Sequence, residues 1–183
     1  FGSCCICGGD GEIWQRRVRR AAEGLVGTSS VIEVRDANVA DAGRISVLVT
    51  ALAEEFIFGD FTTEGRLHLL THFGVAEMEE RLKAAEYRFR VAEDGAVLAG
   101  VVAVRAGTHL QYLFVARSHQ RTGLARRLWD LARLEAIHDE NAAGRFTVNA
   151  SSYAVPAYER LGFRCVGPVR QANGVSFQPM ESA

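Results

Sequence analysis

Residues 113–128, which read Leu-Phe-Val-Ala-Arg-Ser-His-Gln-Arg-Thr-Gly-Leu-Ala-Arg-Arg-Leu, form the stretch best suited to chemistry. The apolar, strand-like run Leu113-Phe114-Val115 gives way to a short polar loop containing one glycine, and a helical pattern opens at once. A loop of this kind leaves several backbone N–H groups pointing outward at a helix N-terminus. That end of a helix carries roughly half a positive charge, so it suits a phosphate or pyrophosphate. An ordinary strand-to-helix turn fits the same residues, because many such connections contain a glycine. The loop lacks the glycine-lysine-serine/threonine ending of a Walker loop and the glycine triplet of a dinucleotide fingerprint.

Other chemistry-bearing residues have plain structural readings beside the functional ones. Tyr158 shares one helical stripe with Val155 and Leu161, the spacing of a packed core aromatic. Asn149 falls at the end of a strand-like run, where a turn residue is common. His109 begins a strand and His119 lies inside the polar loop, both ordinary surface positions for a histidine. Cys4, Cys5 and Cys7 crowd the first residues and Cys165 lies far away. This is a poor disulfide framework and lacks the second ligand pair of a zinc site, so no metal is expected. Cys165 follows Phe163 in a strand-like run and reads as a small core residue.

The elements that must position these groups follow from periodicity. Residues 31–35 alternate as a half-buried strand, and Asp36 or Asn38 can cap a helix over residues 40–56, apolar at Ile45, Leu48, Val49 and Leu52. A looser, aromatic segment with Phe56, Phe58 and Phe61 comes next, then Leu67, Leu69 and Leu70, then a helix near residues 75–85. Residues 87–93, 97–105 and 109–115 read as an antiparallel meander, with Asp94-Gly95 as a hairpin turn. A helix over about 123–138 has an apolar face at Leu124, Leu128, Leu131 and Leu134 or Ala132. Residues 146–150 form a fifth strand, parallel to the fourth because a helix separates them. A short helix at 155–161, with Pro156 in its first turn, precedes strands at 163–166 and 175–180.

The whole reads as α+β, a mixed and mostly antiparallel sheet of six to seven strands with helices on both faces. At 183 residues the chain fits one domain. Residues 1–30 read as a disordered or non-native N-terminal extension and 31–183 as the folded domain. Hydrophobic content of 48% and charged content of 23% are those of a soluble globular protein. A net charge of −1 gives no electrostatic reason to expect nucleic acid or an anionic membrane, despite the arginine run at residues 16–20. No apolar run approaches the roughly 20 residues of a membrane span, and no secretory signal is evident, so a cytoplasmic location is expected.

Two motifs together carry a family resemblance. Gln120-Arg121-Thr122-Gly123-Leu124-Ala125 resembles the Gln/Arg-x-x-Gly-x-Gly/Ala motif of the GCN5-related N-acetyltransferases, the GNAT superfamily. The block from Asn149 through Tyr158-Glu-Arg-Leu-Gly-Phe163 is similar to that family's "Asn … Ala … Tyr-Glu-Lys-x-Gly-Phe" pattern, in the expected order. The resemblance covers residues 31–180 and implies acetyl-CoA as co-substrate. Backbone groups of Leu113, Phe114 and Val115 would pair with its pantetheine arm, and an N–H there would face the thioester oxygen. Main-chain N–H groups of Gln120, Arg121, Thr122, Gly123, Leu124 and Ala125 would wrap its pyrophosphate, Gly123 and Ala125 being small for close approach, with Arg126 adding charge. Asn149 would lie where the fifth strand splays from the fourth. Tyr158 would protonate the departing thiolate.

What the resemblance implies is an N-acetyltransferase acting on a primary amine by direct attack in a ternary complex. The acceptor would be a small molecule, a peptide N-terminus or a lysine. The alternative is an acyl-CoA-binding sensor or structural protein of the same fold without turnover. It stays open because the fourth strand, His109-Leu110-Gln111-Tyr112, carries no carboxylate where members often place a base. His109, Glu54, Glu55 and Asp60 are the other candidates, with none assigned. Oligomeric state is open, a homodimer being one option because many members dimerise.

Overall fold

A computed structural model of the protein describes residues 31–137 and 144–182. The expected extension at residues 1–30 lies outside the described residues. Four antiparallel strands come first in the sheet: β1 (Glu33–Asp36), β2 (Tyr87–Asp94), β3 (Val97–Arg105) and β4 (His109–Val115). Tight turns join the last three. Gly95 turns at φ +59°, and Ala106 and Gly107 turn at +49° and +69°. Strand β3 is buried from Leu98 to Val104 because both of its faces are covered. Val101 and Ala103 face one apolar cluster while Val102 and Val104 face the other, as the two-residue period of a strand requires.

Helix α1 (Ala42–Phe56) buries Ala42, Ile45, Val49, Leu52 and Ala53 on one stripe. It starts two residues later than expected, after a single 3-10 turn at Val39–Asp41. There the Asn38 side chain accepts from the Ala40 N–H at 2.9 Å and Asp41 accepts from the Asn38 N–H at 2.9 Å. Asp41 also takes two bonds from Arg35, at 2.7 and 2.8 Å, which ties the helix entry to β1. Helix α3 (Val75–Lys83) packs with α1 over the same sheet face.

The aromatic segment does not stay loose. After a 3-10 turn at Phe58–Asp60 the chain forms α2 (Thr63–His72), an element the periodicity did not predict. Its apolar face is short: Leu67 is exposed, Leu69 and Leu70 are half-buried against the core, and Gly65 is the one residue of the helix classed as buried. A cap adds to this contact, the Thr62 hydroxyl oxygen accepting from the Gly65 N–H at 3.1 Å.

Helix α4 (Leu124–Ile137) covers the opposite sheet face with Leu124, Leu128, Trp129, Ala132 and Ala136. Its stripe turns through Trp129 and Ala132, leaving Leu134 exposed. Trp129 meets Phe146 edge-on at 5.0 Å and Phe163 at 5.1 Å. Strands β5 (Phe146–Ala150), β6 (Phe163–Cys165), β7 (Arg170–Ala172) and β8 (Val175–Ser182) complete eight strands, against the six to seven expected. The order is β1-β2-β3-β4-β5-β8-β6, with β7 on β8. The extra strand belongs to a two-residue hairpin at Asn173-Gly174, both at positive φ (+50° and +73°), the geometry for which asparagine-glycine is favoured. Helix α5 (Val155–Arg160) sits between β5 and β6. Cys165 is exposed rather than packed. It lies on the edge strand β6, where only Phe163 reaches the core.

Candidate functional site

Strands β4 and β5 run parallel as expected, yet they pair at a single position, His109 with Thr147. There the His109 Nδ1 lies 2.8 Å from the Thr147 hydroxyl. Beyond it the strands part, and a cavity of about 290 Å³ opens in the gap. Gln111, Leu113 and Phe114 line it from β4, Val148 and Asn149 from β5, and Ala154 and Tyr158 from the chain at α5. These form one wall, to which the loop that follows β4 contributes no lining residue. The opposite wall is α2, with His68, Leu69, His72 and Phe73, together with the β7–β8 hairpin from Ala172 to Phe177. Gln111 is also the extra residue of a β-bulge, since Ala103 pairs with Tyr112 and Val104 with Leu110.

In the loop, Gln120 donates from its side chain to the Val115 carbonyl at 3.1 Å, and the Thr122 hydroxyl donates to the His119 carbonyl at 2.7 Å. Both side chains therefore brace the loop, and the Gln120 N–H itself donates to the Arg117 carbonyl at 3.3 Å, so that of the expected main-chain donors Gln120 is taken within the loop. Arg121 (φ +63°) and Gly123 (φ +87°) turn it into α4. The first hydrogen bond of the helix runs from the Arg127 N–H to the Gly123 carbonyl at 3.0 Å. The N–H groups of Gly123, Leu124, Ala125 and Arg126 are thus the four unbonded donors of a helix start. A Cβ on Gly123 would meet nothing within 4 Å, so within the protein alone its need for glycine is conformational. Arg126 is exposed and donates to the Arg160 carbonyl, bridging the first turn of α4 to the end of α5. A loop of open N–H groups with no side chain at Gly123 fits an incoming pyrophosphate.

Tyr158 combines the two readings open to it. Its ring meets Phe163 edge-on at 5.6 Å and packs against the core, while the residue also lines the cavity. Its hydroxyl hydrogen-bonds to no described residue. Burial pushes its pKa above the ordinary 10, so the phenol is protonated throughout the neutral range. Asn149 is exposed at the cavity edge, where β5 has left β4.

None of the base candidates named from the sequence is among the described residues lining the cavity. His109 sits at the pairing point, with its pKa lowered by burial and then by Arg105. Glu55 forms an ion pair with Arg117, whose guanidinium also stands 5.9 Å from the centre of the Phe56 ring. His119 is held by Asp94 at 2.9 Å and Ser118 at 2.8 Å, as befits a structural loop residue.

Sequence reasoning offers residues 56–75, with their aromatics, as an apolar lining of the acceptor pocket, and Ile57, Phe61, Leu69 and Phe73 do line the cavity; what it misses is the polar group behind them. His72 accepts at Nδ1 from the Arg81 guanidinium at 2.8 Å, and Arg81, only 7% exposed, also donates to the His72 carbonyl, the Tyr112 hydroxyl and Glu77. The two histidine rings stack at 6.0 Å. Their i, i+4 spacing was a usable signal for one helix face, and Asn173-Gly174 for the hairpin that meets it.

The sequence of residues 58–183 matches the family described as the acetyltransferase (GNAT) domain. The protein belongs to this family of acyltransferases. A GCN5-related N-acetyltransferase from Rhodopseudomonas palustris is 18% identical, with a TM-score of 0.69 over 84% of this chain and 96% of that one. The PaiA N-acetyltransferase from Thermoplasma acidophilum, in complex with coenzyme A, is 15% identical, with a TM-score of 0.68 over 83% and 98%. A GNAT-family acetyltransferase from Staphylococcus aureus Mu50 is 11% identical, with a TM-score of 0.65 over 83% and 98%. At these identities the likeness is one of fold. No curated protein matches the chain. Among the described residues no helix is long and apolar enough to cross a membrane.

Proposed function

We propose that the protein transfers the acetyl group of acetyl-CoA to a primary amine by direct attack in a ternary complex. The observation that carries this reading is the parting of β4 from β5 after one paired residue, with Tyr158 lining the gap, and the loop directly after β4 supplies the unbonded N–H groups of the α4 start. The complex of the similar PaiA enzyme with coenzyme A supports the choice of donor.

In this reading Gly123 to Arg126 hold the pyrophosphate through main-chain N–H groups, and backbone groups of Leu113 to Val115 align the pantetheine arm as an added strand would. A neutral amine attacks the thioester carbon, the C–S bond breaks, and the thiolate leaves with a proton from the Tyr158 hydroxyl; the proton shed by the attacking nitrogen passes through water to restore the phenol. A main-chain N–H of the same Leu113 to Val115 stretch stabilises the oxyanion. A raised phenol pKa suits a proton donor that must not ionise before the thiolate forms.

Loss of the Tyr158 hydroxyl tests the assignment. Tyr158→Phe is expected to lower kcat about 100-fold, within the usual worth of a positioned acid, while leaving the KM for acetyl-CoA near its original value. A kcat reduced less than about threefold removes Tyr158 from the mechanism. The described lining residues include no carboxylate, which favours one rival reading, a protein that binds acyl-CoA without turnover. That protein would be stabilised by acetyl-CoA and release no thiol with any amine.

A further inference from the structure

The far wall of the cavity has a polar feature that acyl transfer itself does not use. An arginine has hydrogen-bond donors only, so the His72 nitrogen 2.8 Å from the Arg81 guanidinium must present a lone pair. That fixes the neutral ring with its proton on Nε2. Burial first, and Arg81 next, lower the pKa of His72 to about 4, so the ring is neutral in the working range. Nε2 bonds to no described residue, and His72 lines both this cavity and the adjoining space bordered by Glu64 and Glu77. His72 therefore offers the cavity an N–H donor and no base.

Around this donor the wall is apolar. Ile57, Phe61, Leu69, Phe73, Val175 and Phe177 surround the space facing β4. Among the described residues lining this cavity none is a carboxylate; Glu64 and Glu77 border the adjoining space, Glu77 being paired with Arg81, whose guanidinium holds His72. A cationic alkylamine is poorly matched to such a pocket. An amine that is already neutral in part, next to an oxygen that accepts a hydrogen bond, is well matched. Near pH 8 about half of an α-amine is neutral, against about 0.4% of a lysine-type amine.

Resting on the transferase reading above, we propose that the acceptor is the α-amine of an apolar aminoacyl compound, with its carbonyl oxygen held by the Nε2–H of His72 and its side chain against the Phe61–Phe73 wall. Arg81 is the positioning residue that keeps the donor aimed. The α-amine lies two bonds from the carbonyl carbon, so one anchored oxygen places the nitrogen toward the thioester side of the cavity.

The test is calorimetric binding at pH 8 to the protein saturated with CoA, which requires no turnover. L-Phenylalaninamide, phenethylamine (the same body without the carbonyl) and Nα-acetyl-lysinamide are compared. L-Phenylalaninamide is expected to bind more tightly than phenethylamine. His72→Phe should weaken L-phenylalaninamide about tenfold, the worth of one buried hydrogen bond, without weakening phenethylamine, and His72→Gln, which keeps an N–H donor, should restore part of the loss. Equal binding of the first two compounds, tightest binding of the lysine compound, or equal loss of all ligands in His72→Phe would overturn the proposal. If L-phenylalaninamide binds with the expected pattern but frees no thiol from acetyl-CoA, the transfer reading fails and the pocket assignment stands. If only the lysine compound is acetylated, the reverse holds.

Discussion

The β4–loop–α4 passage and the far wall of the cavity are built by different physics. The loop side consists of β4, the 14-residue helix α4 and a loop whose Gln120 and Thr122 side chains bond back to its own main-chain carbonyls. It is anchored in a core containing Trp129, Phe146 and Phe163. The hairpin wall consists of a ten-residue helix and a three-residue strand. These are joined by backbone against backbone, where Gly174 accepts from the Thr62 N–H at 3.4 Å and from its hydroxyl at 3.3 Å. A Cβ on Gly65 would overlap the Gly174 carbonyl oxygen. Recognition by main chain on a rigid support tolerates little change. A wall of short elements meeting at two glycines can exchange its side chains while keeping its position. The first arrangement suits a constant ligand and the second a variable one.

That contrast can be broken at several points. The largest effect is expected on the loop side. Gly123→Glu places a side chain at φ +87° and a negative charge among the N–H donors. CoA affinity, measured by calorimetry, should fall about 100-fold or more, equivalent to about 2.7 kcal/mol. Unchanged CoA affinity would remove the loop from the donor site. On the hairpin wall the effect should be smaller and of the other kind. Gly65→Ala must push the hairpin away from α2, raising the acceptor KM about tenfold with CoA affinity preserved. Equal damage to both affinities would mean that the two regions are one unit.

The smallest effect is on stability against pH. His72 is depressed from 6.5 to about 4, so between these values the unfolded chain binds more protons than the folded one. Stability should therefore be intact above pH 6.5 and decline as pH falls toward 4. After allowance for solvent screening of a half-buried ring, the loss from pH 7 to pH 5 is about 1 kcal/mol. His109, depressed in the same direction, adds to it. Urea midpoints at the two pH values should converge in His72→Gln relative to the parent, but not fully.

The same contrast explains what was legible in the sequence. The meander, the β4–loop–α4 passage and the parallel return to β5 were readable because their apolar residues repeat with the period of the element they form. Gln120–Ala125 and Asn149–Phe163 were readable as motifs because residue types at fixed spacing carry them, Gly123 among them at φ +87°. Helix α2 was not, since its leucines define only a short face, to which a cap and a glycine contact add. Strand β7 is three exposed residues, visible only through its Asn173-Gly174 turn. Cys165 was misread because alternation predicts a face and is blind to where the covering layer ends. No local pattern announces Arg81, a buried cation whose meaning lies in His72, nine residues away.

Acetyl-CoA consumption measured with and without amine tests the central claim most directly. The account predicts that free CoA thiol appears only when an amine is present, in one-to-one proportion to N-acetylated product found by mass spectrometry. Stabilisation of the protein by acetyl-CoA with no amine-dependent thiol release across the panel, or release that ignores the amine, would contradict it.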